Sequence, residues 1–258
     1  MDIHPSAVVD SRAELGTGVK VGPFAFIGRD TIIGDNTEIM PHVYVDQYTT
    51  IGANCRIFPF ASIGADPQDL KFKGEKTTLE IGDNTVIRES ATLHRGTVEG
   101  GGKTAIGRNC LLMAYVHVAH DCHVGDNVVI SNNLAMGGHV SIGDHASVGG
   151  MVGIHQFTRV GTYAFIGGVS RVAKDVPPYM LGEGAVDFIL HGPNVIGLRR
   201  KGFSNETIRA LKDSFTIICR NHRPLQDVLQ EALDRFPEVP EVKVLVDFYN
   251  SSERGVYR

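Results

Sequence analysis

A period of six residues runs from Val9 to Val172 and constrains the fold of this chain more than any other feature. The positions six apart carry aliphatic side chains, first at Val9, Leu15, Val21, Ile27, Ile33, Ile39, Val45, Ile51, Ile57 and Ile63. The same phase resumes at Ile81, Ile87 and Leu93. After a second interruption the pattern continues one residue out of step, from Ile106 to Val172. The next residue is often glycine, as at Gly16 and Gly125.

This period predicts a parallel β-helix built from hexapeptide repeats. A short strand sends one large aliphatic side chain inward, and the tight turn after it favours glycine, whose missing Cβ permits unusual dihedral angles. Three such sides close a coil of 18 residues. Strands of successive coils then pair about 4.8 Å apart. The interior is a narrow aliphatic column, which fits an aromatic content of 7% and the absence of Trp.

The repeats divide the chain into two predicted domains. We expect a β-helix over residues 1–175, interrupted by insertions at 66–78 and 97–103, and a C-terminal α-helical domain over 176–258. Two prolines at the boundary end the repeats, because proline cannot donate to a β-ladder. Helical patterns follow at 204–220, 224–236 and 240–252, the first of them opened by Ser204 as N-cap. The fold class is therefore mainly β, with the terminal cap that repeat proteins need.

Composition excludes several classes of protein. The balance of 25 basic against 29 acidic residues argues against a nucleic-acid footprint over the whole surface and leaves room for a local basic patch. Four scattered cysteines without a CxxC motif are typical of reduced thiols in a cytosolic protein. The N-terminus has no signal-peptide pattern, and no apolar run is long enough to span a membrane. These features predict a soluble, cytoplasmic protein.

The stretch "HVAHDCHVGD" places His117, His120 and His123 three residues apart. Residues 18 apart should lie directly above one another on a β-helix. His139 and His155 follow His120 by 19 and 35 residues, so the three should share one edge over about 10 Å. The intervening valines hold the inward positions, and the histidines should project outward.

Three interpretations of this histidine cluster are open: solvent-facing side chains, a zinc site and a catalytic base. Imidazole is the commonest metal ligand, but nothing in the spacing fixes a tetrahedral arrangement. A general base at His120, oriented by the adjacent Asp121, fits acyl transfer and needs no metal. We favour the base, and predict neither a metal nor a cofactor. A backbone N–H near Gly138, on the next coil, is the candidate donor to the reaction's oxyanion.

Six segments carry a resemblance to a known family. They are "QDLKFKGE", "IRESATLHRGT", "AHDCHVGD", "GGHVSIGDHASVGGMVGIHQF", "DVPPYM" and "LRRKGFS". In this order they resemble bacterial UDP-N-acetylglucosamine 3-O-acyltransferases over nearly the whole chain. The resemblance implies left-handed coils and a homotrimer with active sites between subunits. It also implies transfer of a 3-hydroxyacyl chain from acyl carrier protein to UDP-N-acetylglucosamine, the first step of lipid A synthesis.

The resemblance also implies roles for individual residues. His120 matches the catalytic histidine, with Asp121 as its orienting partner. The positions that match substrate-contacting residues are Asp69, Lys71, His117, His139, His155, Gln156, Asn194 and Arg200. Ile196 departs from the pattern, since an acidic residue that contacts the nucleotide is expected there.

Two further positions follow from chemistry and from the groove that the family uses. Arg199 and Arg200 suit the binding of phosphate and the docking of an acidic carrier protein, the alternative being a solvated helix end. Gly168 is expected at the far end of the acyl groove, where its missing side chain leaves room; the alternative is a turn glycine of the repeat.

Other functions remain open on the sequence alone. One is the related N-acyltransferase of the same pathway, which carries an extra N-terminal domain, whereas the hexads here begin almost at Met1. Others are a CoA-dependent sugar acetyltransferase, a trimeric β-helix zinc hydratase and a non-enzymatic assembly scaffold. Metal analysis and binding of acylated carrier protein distinguish these from the acyltransferase.

Overall fold

The computed structural model describes residues 2–220 and 223–258 as a three-sided parallel β-helix followed by four helices. Its first face, sheet A, contains β1 (Asp2–Ile3), β4 (Lys20–Val21), β7 (Glu38–Ile39), β10 (Arg56–Ile57), β13 (Val86–Ile87), β16 (Leu111–Leu112), β19 (Val129–Ile130), β22 (Ser147–Val148) and β25 (Phe165–Ile166). Sheet B contains β2 (Val8–Val9), β5 (Phe26–Ile27), β8 (Tyr44–Val45), β11 (Ser62–Ala65), β14 (Thr92–His94), β17 (His117–Val118), β20 (Ala135–Met136), β23 (Gly153–Ile154) and β26 (Arg171–Val172). Sheet C contains β3 (Glu14–Leu15), β6 (Ile32–Ile33), β9 (Thr49–Ile51), β12 (Thr78–Ile81), β15 (Lys103–Ile106), β18 (His123–Val124), β21 (Ser141–Ile142) and β24 (Arg159–Val160).

Strand register confirms the stacking of residues 18 apart. In sheet B, His117 pairs with Ala135, which pairs in turn with Gly153 and then Arg171. Each pairing is parallel, and one coil lies directly above the previous one. Positions on the outer surface therefore form vertical columns that can be read from the sequence.

The core is the aliphatic column that the period predicts. The hexad residues Ile27, Ile57 and Ile130 are fully buried. A second inward position, two residues earlier, holds smaller side chains such as Ala25 and Cys55, which are also buried. This position gives no recognisable signal in the sequence, because its mixture of alanine, valine, threonine and cysteine shows no single chemistry.

Unusual dihedral angles do not explain the repeat glycines, contrary to the prediction from the sequence. Gly22 and Gly34 do not adopt left-handed dihedrals; instead, a Cβ at Gly34 would lie 2.6 Å from the backbone nitrogen of Ala53 on the next coil. The left-handed conformation falls two residues later, for example at Asn36 with φ of 57°. Glycine is selected at these positions by the close approach of successive coils.

Both insertions leave the helix at the same corner. Residues 66–78 connect β11 to β12, and residues 97–103 connect β14 to β15, so each passes from sheet B to sheet C. The next coil turns this B–C corner at His120 and Asp121. The two insertions therefore lie on the coils just below the candidate catalytic pair.

Two strands that were not predicted from the sequence precede the C-terminal helices. Strand β27 (Met180–Glu183) extends sheet A beside β25 and pairs antiparallel with β28 (Ile189–Pro193). The helices are α1 (Val195–Arg200), α2 (Asn205–Cys219), α3 (Leu225–Arg235) and α4 (Pro240–Asn250).

The start of α2 is as predicted, since the Ser204 hydroxyl accepts a hydrogen bond from the Thr207 N–H at 3.0 Å. The division of the chain at residue 175 stays a prediction. Within the described residues, no helix has both the length and the apolar character needed to cross a membrane.

Candidate active site

The B–C corner above the insertions holds His120 and Asp121. Asp121 occupies the left-handed position of its coil, with φ of 60°, and its N–H donates to Thr104 Oγ1 at 2.8 Å. Its side chain is fully buried, whereas the His120 imidazole is 14% exposed. The corner thus places a buried carboxylate directly behind a partly open imidazole.

These two side chains form a hydrogen-bonded pair. His120 Nδ1 lies 2.7 Å from Asp121 Oδ2. Because an ionised carboxylate can only accept, Nδ1 carries the proton and Nε2 keeps its lone pair. Asp121 also accepts from the N–H and the hydroxyl of Thr97, each at 2.7 Å. The arrangement suits a general base whose tautomer is fixed by its neighbour.

The other predicted histidines lie close by but not in one column. His139 is on the next coil in the column of Asp121, and its ring contacts the His120 ring edge-on with centroids 5.3 Å apart. Phe157 stacks on the far side of His139 at 4.4 Å. His155 is one coil further, in the column before that of His120. The three histidines therefore occupy three adjacent columns on three successive coils, with His120 in the middle column.

Gly138 lies on the next coil in the column of His120. A Cβ at Gly138 would approach His120 Cε1 to 2.7 Å, so the imidazole position requires glycine there. Its N–H has no hydrogen-bond acceptor among residues 2–220 and 223–258. An oxyanion donor needs an unpaired N–H close to the base, and the Gly138 N–H meets this requirement.

A groove of about 540 Å³ opens along sheet B beside this pair. Predicted residues that line it are His117, His120, Gly138, His155 and Gln156. Gln68 and Arg171, which were not predicted from the sequence, also line it. Arg171 follows His117 by three coils in one column, so the 18-residue spacing contained the signal for it.

His117 lines the groove and lies beside the buried His94 imidazole. The His117 and His94 rings meet edge-on at 5.2 Å. Burial, reinforced by the neighbouring imidazoles, lowers the pKa of His117 below its usual value. Burial likewise lowers the pKa of His94, whose Nδ1 donates to the Asp66 carbonyl at 2.6 Å. Both rings are therefore neutral at neutral pH and act as hydrogen-bonding groups.

The insertion at 66–78 carries Asp69 and Lys71. Asp69 Oδ1 accepts from the Lys71 N–H at 2.9 Å, which shapes the loop. Lys71 Nζ pairs with Glu99 of the other insertion at 2.8 Å, and this partner raises the pKa of the Lys71 amine. Neither side chain lines the groove in this structure. The two insertions are thus linked to each other through a residue predicted to bind substrate.

A C-terminal residue reaches the groove without any signal in the sequence. Arg254 Nη2 lies 2.8 Å from His155 Nδ1, and Arg254 Nε donates to the Ala173 carbonyl at 2.8 Å. His155 Nδ1 also lies 3.1 Å from the Gln156 carbonyl oxygen, so it is placed between a donor and an acceptor. The C-terminal segment therefore contacts a histidine of the groove.

Two of the residues predicted to contact substrate, Asn194 and Arg200, lie on another face of the chain than Gln156. Asn194 and Arg200 line a cavity of about 520 Å³ against sheet A, together with Tyr163 and Ile196. The Asn194 side chain is also the N-cap of α1, accepting from the Gly197 N–H at 3.1 Å. Arg199 is exposed and does not line this cavity. Within one chain, Asn194, Arg199 and Arg200 do not lie at the sheet B groove.

Gly168 lies at the A–B corner just before β26, on the coil beyond His155. It is exposed, and a Cβ there would meet the Gly150 carbonyl oxygen at 3.2 Å. A side chain at this position would therefore point away from the core with only a small shift of its neighbour.

One group of three potential metal donors occurs among the described residues: His120, Asp121 and His139, with ligand atoms within 4.8 Å of one another. The Asp121 oxygens already accept three hydrogen bonds of 2.7 Å from Thr97 and His120. Three of the lone-pair sites of this carboxylate are thus occupied, two of them on Oδ2. The donor set therefore fits a hydrogen-bonded pair better than metal ligation.

Parallel hexapeptide coils with a histidine–aspartate pair in an open groove define a hexapeptide-repeat acyltransferase. In agreement, a family model described as bacterial transferase hexapeptide (six repeats) matches residues 103–138. A second model, UDP N-acetylglucosamine O-acyltransferase, domain 2, matches residues 175–257.

Full-length relatives identify the family. The chain is 44% identical, over 99% of both sequences, to the acyl-[acyl-carrier-protein]–UDP-N-acetylglucosamine O-acyltransferase of Paraburkholderia phymatum. It superimposes with a TM-score of 0.97 on the UDP-N-acetylglucosamine O-acyltransferase of Moraxella catarrhalis, which is 43% identical with 100% of both chains covered. On the Bacteroides fragilis UDP-N-acetylglucosamine acyltransferase it superimposes with a TM-score of 0.96, at 44% sequence identity and with 99% of both chains covered.

The chain belongs to the UDP-N-acetylglucosamine O-acyltransferase family. The matching structures confirm the predicted fold class, a left-handed parallel β-helix with C-terminal helices.

Proposed function

We propose that this chain transfers a 3-hydroxyacyl group from acyl carrier protein to the glucosamine 3-position of UDP-N-acetylglucosamine, the first step of lipid A biosynthesis. Membership of the acyltransferase family supports the reaction class. The observation that carries the proposal is the 2.7 Å contact between His120 Nδ1 and Asp121 Oδ2 beside an open groove.

The reaction needs one base and one oxyanion donor. His120 Nε2 takes the proton of the sugar 3-hydroxyl as its oxygen attacks the thioester carbonyl. Asp121 stabilises the imidazolium that forms, and the Gly138 N–H donates to the oxyanion. Collapse of the tetrahedral intermediate breaks the carbon–sulfur bond, and the imidazolium returns its proton to the leaving thiolate. No covalent enzyme intermediate is required.

Groove residues would hold the two substrates around this base. His117, His155 and Gln156 in the groove, together with His139 beside His120, offer hydrogen-bonding groups to the sugar and diphosphate. Asp69 and Lys71 would close on the sugar and acyl chain from the insertion once Lys71 leaves Glu99. Gly168 leaves space for the end of the acyl chain.

The nucleotide side of the site would come from a second copy of the chain. Asn194 and Arg200 border a cavity on sheet A, whereas the base lies in a groove on sheet B. A homotrimer places sheet A of one subunit opposite sheet B of the next, and closes a cleft from two half-sites. Arg199 and Arg200 would also attract the acidic carrier protein. The cytoplasmic location stays a prediction.

One assay tests this function. Purified protein is incubated with UDP-N-acetylglucosamine and a panel of 3-hydroxyacyl carrier proteins, unsubstituted acyl carrier proteins and acetyl-CoA, and the products are resolved by mass. We expect a UDP-N-acetylglucosamine adduct with one 3-hydroxyacyl group, formed equally well after chelation. Transfer from acetyl-CoA alone would favour the sugar acetyltransferase. Bound zinc together with carbonic anhydrase activity would favour the hydratase.

A further inference from the structure

The second insertion, residues 97–103, makes direct contact with the candidate catalytic pair through Thr97. The Thr97 N–H donates to Asp121 Oδ1 and its hydroxyl donates to Asp121 Oδ2, each at 2.7 Å. His120 Nδ1 donates to the same Oδ2 at 2.7 Å. Both carboxylate oxygens are therefore held, and the hydroxyl of Thr97 shares one of them with the imidazole.

Thr97 is itself fixed by its own loop. Its Oγ1 accepts from the Gly100 N–H at 3.1 Å, and its carbonyl accepts from the Gly102 N–H at 2.7 Å. An N–H can only donate and a carboxylate can only accept, so the direction of each bond is determined. The hydrogen bonds run from Gly100 through the Thr97 hydroxyl to Asp121, where they meet the bond from His120.

The same insertion covers the carboxylate. A Cβ at Gly100 would overlap the Asp121 carboxylate, so this loop can pack directly onto it only through glycine. Thr97 is 7% exposed, and the Asp121 side chain is fully buried. Water is thereby excluded from the back of the pair, which strengthens the hydrogen bonds that remain.

We propose that Thr97 is a positioning residue for this reaction, and that it acts through Asp121 to hold His120 in its reactive tautomer and orientation. Two bonds on two oxygens prevent rotation of the carboxylate. Oδ2 then stays on His120 Nδ1 while the imidazole gains and loses its proton. The inference rests on the proposed function only in taking His120 as the base.

Three variants separate positioning from a purely structural role. Thr97→Val removes the hydroxyl and keeps the shape and the backbone donor. Thr97→Ser restores the hydroxyl. Thr85→Val is the matched control, because the buried Thr85 hydroxyl also donates one bond, to the Gly107 carbonyl at 2.9 Å, and accepts one, from the Cys110 N–H at 3.2 Å. Thr85 precedes β13 at the C–A corner, outside the groove.

We expect Thr97→Val to lower kcat by about 10- to 150-fold, as for loss of one hydrogen bond to a charged group, with unchanged KM for both substrates. Thr97→Ser should keep kcat within about threefold of wild type. Thr85→Val should lower the melting temperature about as much as Thr97→Val does, and it should leave kcat unchanged. In an Asp121→Asn background, Thr97→Val should lower kcat by less than about twofold. The reason is that the Thr97 hydroxyl acts through the Asp121 carboxylate, which this background lacks. An undiminished loss in that background, or a wild-type kcat for Thr97→Val, overturns the proposal.

A second readout does not depend on any substrate. In protein labelled with ¹⁵N-histidine, the His120 Nδ1 proton should give a slowly exchanging, downfield resonance in wild type and Thr97→Ser. It should broaden or disappear in Thr97→Val. If the protein transfers no acyl group, the proposed function fails while this spectrum still judges the role of Thr97. An identical His120 resonance in wild type and Thr97→Val contradicts the proposal.

Discussion

The left-handed corner residues show how one backbone position serves both the fold and the site. At the C–A corner this position is asparagine in several successive coils, including Asn36, Asn54 and Asn109. Asparagine, aspartate and histidine tolerate this region better than most residues. At the B–C corner the same backbone position carries Asp121 and His139. The fold therefore supplies an unusual side-chain direction, and the site uses it for functional groups.

His120→Ala should leave the protein folded and lower turnover by about 10²- to 10⁴-fold, the range for a lost general base. The imidazole lies on the surface side of its coil at 14% exposure, so its removal opens little space in the core. The check is kcat together with the melting temperature. A folded variant with near-normal turnover would exclude His120 from the mechanism.

Gly138→Ala should lower kcat while the fold is kept, because the new methyl group would lie 2.7 Å from His120 Cε1 and push the imidazole aside. Gly150→Ala is the matched control, since its nearest neighbour would be the Asn132 carbonyl at 3.3 Å. Steady-state kinetics of the two variants with one donor make the comparison. Equal rates for both would mean that the position of His120 does not depend on Gly138.

Insertions and strands act at the next scale. The rigid stack of coils fixes the columns, and the two insertions add to the B–C corner what the repeat cannot supply: Thr97 behind Asp121, and Glu99 against Lys71. Arg95, which is almost fully buried, anchors the first insertion through Asp66, Asp46 and the Gly64 carbonyl. Function at this corner thus depends on loops held by buried polar contacts.

Chain-length preference belongs to the groove as an element. Gly168→Met should shift the preferred 3-hydroxyacyl donor to a shorter chain and leave the affinity for UDP-N-acetylglucosamine unchanged. Each buried methylene contributes about 0.8 kcal/mol, so two carbons change preference by roughly tenfold. Competition among donors of about ten to sixteen carbons measures the order. An unchanged order would place the end of the groove elsewhere.

At the scale of the molecule, the sequence predicted the solenoid and the corner that carries the site, because both follow from fixed periods of six and 18 residues. Contacts across long separations had no such signal. Arg254 reaches His155 from the C-terminal segment, and β27 and β28 extend sheet A where a helical domain was expected to begin. The distribution of the predicted site residues over two faces also required coordinates.

Stability should fall in mild acid because of the buried imidazoles. The pKa values of His94 and His117 lie below 6.5 in the folded chain, so the unfolded chain binds protons first as pH falls. Unfolding free energy is therefore highest above about pH 7 and decreases towards pH 5. The two imidazoles lie next to each other. The other titratable or charged groups that act on His94 are His120, Asp66 and Arg95, and His120 also acts on His117. Urea unfolding at pH 7.5 and 5.5 should show a smaller difference for a His94→Gln, His117→Gln double variant than for wild type. If the unfolding free energy of the double variant changes between the two pH values as much as that of wild type, other groups cause the loss of stability.

The most direct test of the whole account mixes two inactive chains. His120→Ala removes the base on sheet B, and Arg200→Ala alters the cavity on sheet A. If each active site combines sheet B of one copy with sheet A of another, co-assembled chains regain intact sites. Random mixing in equal amounts should restore about a quarter of wild-type transfer from 3-hydroxyacyl carrier protein to UDP-N-acetylglucosamine. Assemblies that contain both chains and remain as inactive as either variant alone would contradict a site shared between subunits.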